Sequence, residues 1–174
     1  MNTVALFKET GVTEGACGKI LDTENQGIVI KKIHRHLKHR SKCLNAEKQC
    51  QMQIWAHELL TPANGFSILY TPRAWYQEGH KHQYRMERID CSHEIDAFST
   101  SAATTAELKL FYEKAKEAGI FPCDYELYRQ SDGRVALIDF DKFGVWSEGQ
   151  VVFPWGLIWT KPLYPWRADE NEYG

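Results

Sequence analysis

The 174 residues are 43% hydrophobic, 25% charged and 13% aromatic, a composition from which one domain can build a core. A formal net charge of −2 argues against nucleic-acid binding by the surface as a whole. No run approaches the ~18 consecutive apolar residues of a membrane-spanning helix.

Short extended segments with glycine punctuation open the chain. Gly15-Ala16-Cys17-Gly18-Lys19-Ile20 carries a glycine pair that lets backbone approach a phosphate closely, though a plain hairpin turn uses the same residues. Gly27-Ile28-Val29-Ile30 is short and rich in β-branched residues, which predicts a strand. Lys31 and Lys32 emerge from its end, and strand alternation turns one of them inward and the other outward. They begin a basic stretch over 31–42, which reads as a solvated face or as a contact for phosphate or an acidic partner.

A helix is predicted over about 41–60, stopped by Thr61-Pro62-Ala63-Asn64-Gly65. Cys43, Glu47, Cys50, Ile54 and His57 recur in it at helical spacing, so Glu47 shares a face with small or apolar neighbours. A carboxylate there is costly unless a cation meets it. If strand and helix pack together, Lys31 is that cation and still points at a phosphate.

Residues 66–70 and 84–89 read as strands, joined by a loop in which His80 and His82 lack the partners of a tetrahedral metal site. A second helix is marked by Thr104 with Glu107 as a capping box, by the stripe Leu108, Phe111, Ala115 and Ala118, and by Gly119 as C-cap. Residues 127–129 and 135–138 flank Ser131-Asp132-Gly133-Arg134 as a hairpin. Strands, helix, strands, helix and hairpin in that order predict an α+β fold rather than a doubly wound sheet. The last quarter, rich in aromatics and prolines, predicts an ordered wrap. Asp139 follows four apolar residues and opens Asp139-Phe140-Asp141, where a carboxylate suits either a capped turn or Mg²⁺.

Taken in order, these motifs resemble those of the protein kinases. GACGKI resembles the glycine-rich loop, with Thr13 where the first glycine usually stands, and IVIKKI resembles the Val-Ala-Ile-Lys strand. Glu47 suits the glutamate of the helix that follows. Residues 84–89 resemble the strand leading to the hinge, with Met86 as gatekeeper and Glu87 and Ile89 as main-chain contacts to adenine. DGRVALIDFD resembles the hairpin that ends in Asp-Phe-Gly, with Asp141 replacing glycine. The likeness spans about residues 10–144. It implies a single protein kinase-like domain over 1–174: an N-lobe antiparallel sheet plus helix to about residue 89, then a strongly reduced C-lobe with an aromatic tail. It also implies ATP held at Gly15, Gly18, Lys31, Met86, Glu87 and Ile89, Mg²⁺ held by Asp139 and Glu126, and catalytic roles for Asp124, Lys31 and Glu47.

The departures matter. No His-Arg-Asp precedes the hairpin; counted back from Asp139, Glu126 falls near the place of the metal-binding asparagine and Phe121 at that of the catalytic aspartate. Asp124 serves as base only if that loop is shortened. No Ala-Pro-Glu follows. The resemblance thus implies a pseudokinase that binds ATP and Mg²⁺ and acts through a protein partner, with the basic stretch from Arg35 to Lys42 and the tail at 151–166 as its surfaces. The alternative is an active minimal protein kinase that transfers the ATP γ-phosphate to a protein. By analogy with truncated kinases of bacteria and viruses, that role is host-directed.

The opening MNTVALFKETG lacks the basic region and longer apolar core of a secretory signal. Cys17, Cys43, Cys50, Cys91 and Cys123 are odd in number and scattered, which suits reduced thiols. The expectation is a cytoplasmic or nuclear protein, in the host cell if it comes from a pathogen.

Overall fold

The computed structural model describes residues 12–14, 18–33 and 43–166; Gly15 and most of the basic stretch lie outside them. Two helices pack with three sheets, so the fold is α+β.

The first sheet contains β1 (Val12–Glu14), β2 (Gly18–Asp22), β3 (Ile28–Ile33), β5 (Ala74–Tyr76) and β6 (Gln83–Glu87), in the order β1-β2-β3-β6-β5. Every pairing in it is antiparallel. Val29 and Ile33 of β3 are buried, and Lys31 lies between them on the same face of the strand. The open choice between the two lysines is therefore decided: Lys31 shares the inward face and Lys32 does not.

Helix α1 (Ala46–Leu59) covers this sheet and begins later than predicted, because Asn45 caps it and accepts from the Lys48 N–H at 2.9 Å. Its buried face is Ala46, Gln49, Cys50, Gln53 and Ala56. Ala46 and Cys50 pack with Val29, Ile33, Ala74, Tyr84 and Met86. Glu47 sits one residue round from Ala46, about 100° at 3.6 residues per turn, and is exposed. Two glutamines occupy the buried face, Gln53 with both amide atoms hydrogen-bonded and Gln49 through its amide nitrogen, its Oε1 being left without a partner. Gln53 Nε2 donates to Pro72 O at 3.0 Å while its Oε1 accepts from Tyr84 OH at 3.2 Å, and Gln49 Nε2 donates to Leu44 O at 2.7 Å.

The second sheet runs β4-β10-β9-β7, from β4 (Leu69–Tyr70), β10 (Val135–Ile138), β9 (Glu126–Arg129) and β7 (Glu94–Ile95). Its β9–β10 hairpin matches the predicted one, and β4 joins β10 in parallel. Helix α2 (Ala102–Glu117) is capped by Ser101, whose side chain accepts from the Thr104 N–H, rather than by a Thr104–Glu107 box. Glu107 lies on the buried face with Leu108, Phe111 and Ala115, and that placement aims its carboxylate away from the helix end. It accepts from the N–H groups of Ile68 and Leu69, both at 2.9 Å, and from Ser67 Oγ at 3.3 Å. The predicted strand at 66–70 is cut to two residues where Glu107 takes over its backbone donors.

The ordered wrap predicted for the tail takes the form of strands in a third sheet, β13-β12-β11-β8, formed by β8 (Ile120–Phe121), β11 (Gly144–Ser147), β12 (Gln150–Val152) and β13 (Ile158–Trp159). Phe121, Phe140, Phe143, Val151 and Phe153 join Phe111 and Leu108 in the main core. Trp166 closes the cluster edge-on to Tyr112, with ring centroids 4.7 Å apart. Among the described residues no helix is long and apolar enough to cross a membrane. Cys50, Cys91 and Cys123 form no disulfide, but Cys43 is disulfide-bonded, which corrects the expectation of a wholly reduced set. An odd count with irregular spacing carries no information on which sulfurs meet in space.

Candidate functional site

Strand β10 ends at Ile138 and delivers Asp139 to the mouth of β3. Lys31 Nζ lies 3.0 Å from Asp139 Oδ1, with the two side chains 12% and 27% exposed. Asp139 has φ 78°, in the left-handed region that costs a non-glycine residue on the order of 1 kcal/mol or more. Such outliers cluster at functional sites, and Asp124, at φ 54° on the turn between β8 and β9, is another.

Burial alone would raise the Asp139 carboxyl pKa, but the Lys31 charge, with hydrogen bonds from Asp141 and Lys31, outweighs it and holds the group below the ordinary range. Burial likewise disfavours the Lys31 charge, and Asp139, Tyr84 and Asp141 together reverse that and keep the ammonium protonated well above its ordinary value. Asp141 goes the other way. Burial, then the neighbouring Asp139 charge, pushes it up to about 7. Its side chain comes within hydrogen-bonding reach of Asp139. Cys43 Sγ lies 3.8 Å from its Oδ2, while its Oδ1 is buried with no hydrogen-bond partner.

Glu126 faces Ile138 across the β9–β10 ladder, one residue short of Asp139. Tyr128 OH donates to it at 2.7 Å. Burial first, and the Asp139 charge second, raise its pKa. Asp124 is exposed, and Lys142 Nζ holds its Oδ2 at 3.1 Å. That hydrogen bond is the main cause of a raised Lys142 pKa, to which Asp141 and Asp139 also contribute. The end of β10 and the start of β9 thus bring Asp139, Asp141 and Glu126 to Lys31, and the Asp124–Lys142 pair adjoins them through Lys142, whose charge acts on Asp139 and Asp141. Lys142 drew no attention in the sequence; its only signal there is a cation directly after Asp139-Phe140-Asp141.

Other predicted site residues fall elsewhere. Glu47 stands exposed in the first turn of α1, and Lys31 pairs with Asp139 instead, because the buried face of α1 is set by Ala46 and Cys50. Met86 is buried on β6 opposite Val29, with Gln53 Nε2 3.8 Å from its Sδ. Glu87 is exposed and its N–H already donates to Arg73 O at 2.9 Å, so that donor is not available to a ligand. Ile89 is buried with Cys91, Tyr128 and Ala136. Gly18 opens β2 opposite Ile33.

Among the described residues no three side chains form a ready metal cage. Mg²⁺ does not need one, since it takes one or two carboxylates and fills its octahedron with water and phosphate oxygens. Asp139 and Glu126 offer such hard oxygen donors, and Asp141 Oδ1 is buried with no hydrogen-bond partner, so the donor chemistry fits. Asp124 and Glu126 also line a cavity of about 800 Å³, together with Asp96, Phe98, Trp159 and Leu163.

No family model and no curated protein matches the sequence. A solved structure, SAICAR synthetase (type 2) in complex with ADP, superposes on the chain with a TM-score of 0.43 and 12% identity, covering 77% of this chain and 84% of that one.

Proposed function

We propose that this chain is a protein kinase-like module that binds ATP with Mg²⁺ and acts through a protein partner. The observation that carries the reading is the Lys31–Asp139 pair, in which a lysine from the central strand of the first sheet meets a carboxylate from the end of a hairpin. Lys31 reaches the phosphates from β3, and Asp139 with Glu126 holds the cation. When bound, Mg²⁺ neutralises phosphate charge. The residues themselves orient the nucleotide, and the mostly apolar cavity that Asp124 lines gives a partner segment a place to dock. Exposed Phe98, Ile158 and Leu163 are the anchors offered to it.

A non-catalytic role is favoured by the position of Glu47, which leaves Lys31 without the helix carboxylate that the kinase pattern supplies. A second reading, phosphoryl transfer to a protein, is favoured by Asp124. Lys142 fixes that carboxylate at the edge of the cavity, where it would orient an acceptor hydroxyl. The test is thermal stabilisation by ATP with and without Mg²⁺, on the wild type and on Lys31→Ala and Asp139→Asn. Magnesium-dependent stabilisation lost in both variants supports the nucleotide site; no shift in the wild type removes it. Transfer of radiolabelled phosphate, lost in Asp124→Asn, then separates the two roles.

A further inference from the structure

We propose that Asp141 is itself a ligand of the divalent cation, making with Asp139 a two-carboxylate seat at the end of β10. This deepens the reading above by naming a ligand at the position where the kinase-like pattern has a glycine.

Asp141 is 6% exposed, and its Oδ1 is buried with no hydrogen-bond partner. A buried carboxylate oxygen without donor or cation is costly, and such groups persist where an ion or ligand completes them. Among the described residues, Lys31 and Lys142 are the cations whose charge reaches Asp141, and each makes its direct contact with another carboxylate. Lys31 Nζ contacts Asp139 Oδ1 at 3.0 Å and Lys142 Nζ contacts Asp124 Oδ2 at 3.1 Å. The one close contact to the Asp141 carboxylate that involves neither Asp139 nor a charge is Cys43 Sγ at 3.8 Å, which neutralises nothing.

The charge balance points the same way. Asp139 and Asp141 bring two adjacent carboxylates against the Lys31 ammonium, 3.0 Å from Asp139, so a negative charge is left when both are ionised, and a divalent cation would offset it. Oxygen-only donors, two of them carboxylates from one short segment, suit Mg²⁺ or Mn²⁺ rather than a soft metal. The left-handed backbone of Asp139 turns the chain sharply there and brings Asp141, two residues on, back to its side chain.

The experiment titrates Mn²⁺ into the full chain and follows free Mn²⁺ by its paramagnetic resonance, for wild type, Asp141→Asn, Asp139→Asn and Glu47→Gln, with and without ADP. The expected result is Mn²⁺ binding by the wild type and by Glu47→Gln, weakened at least tenfold in Asp141→Asn and in Asp139→Asn. Thermal melts in chelator guard against a misfolded variant: Asp141→Asn removes a buried, poorly compensated charge and should melt at or above the wild type. Equal Mn²⁺ affinity in Asp141→Asn and wild type, or no Mn²⁺ binding by the wild type, overturns the proposal. If ADP binds while Asp141→Asn holds Mn²⁺ normally, only the Asp141 assignment falls. If Mn²⁺ binds through Asp141 while no nucleotide binds, only the nucleotide reading falls.

Discussion

Lys31 Nζ and Asp139 Oδ1 meet at 3.0 Å across 108 positions of sequence, joining the first sheet to the end of the β9–β10 hairpin. Breaking one side of a buried ion pair costs about 3–5 kcal/mol, and of an exposed pair about 0–1 kcal/mol. These side chains are 12% and 27% exposed, between the two limits. Lys31→Met and Asp139→Asn should each lower unfolding stability by about 2 kcal/mol. The double variant should lose less than the sum, since neither charge is then left alone. Urea denaturation of the four proteins measures this coupling; strict additivity would show that the two residues do not interact.

Two glutamates separate by the same reasoning. Glu107 is buried and takes the N–H groups of Ile68 and Leu69. Glu107→Ala leaves those donors unpaired, at about 1–3 kcal/mol each, and should be among the most destabilising single changes outside the aromatic core. Glu47 is exposed near the N-terminus of α1. Glu47→Ala should cost under about 1 kcal/mol, mainly the lost interaction with the helix dipole, and leave any nucleotide-induced stabilisation unchanged. Denaturation midpoints with a matched ATP titration distinguish the pair.

Stability should depend on pH in two opposed ways. The Asp139 pKa is lowered in the folded state, so its contribution is present above the unfolded carboxyl pKa of ~3.9 and is lost as pH falls through the folded value. The Asp141 pKa is raised to about 7, so its contribution is fully present below ~3.9 and is lost as pH rises through 7. In chelator, the wild type should therefore lose part of its stability between about pH 4 and 7, and Asp141→Asn should flatten that decline. Melting temperatures across the range settle it, and an identical profile in the variant would refute the assignment.

Gly144 and Gly119 should respond differently to alanine. A Cβ on Gly144 would lie 2.9 Å from Val151 Cγ1 and 3.2 Å from the Val152 carbonyl oxygen, in the β11–β12 pairing. The crowding should cost about 1–3 kcal/mol. Gly119 has open space around its Cα, and only its φ of 77° opposes a side chain, at roughly 1 kcal/mol. Gly144→Ala should thus have the lower melting temperature of the two.

Much of the local structure was legible because it depends on neighbours in the chain. The β9–β10 hairpin follows from turn residues between two apolar runs, and Gly119 adopts the positive φ that its place after α2 demands. The helix caps were less legible. Asn45 and Ser101 cap α1 and α2, whereas Thr104 with Glu107 carried the more familiar spacing. The tail reads as irregular because the strands of its sheet are only two to four residues long, too short to show alternation.

By itself the sequence determined the class of fold, the two helices, the strand that carries Lys31 and the hairpin that ends at Asp139. Each of these rests on propensity, periodicity or a turn, which act over a few residues. Tertiary structure alone decided that Lys31 faces inward and meets Asp139 instead of Glu47. It also placed Glu126 beside that pair, set Lys142 against Asp124 and left an oxygen of Asp141 buried without a partner. Ion pairs and burial depend on which faces the packed elements turn toward one another, and a one-residue rotation of α1 from the expected face was enough to change the partner of Lys31.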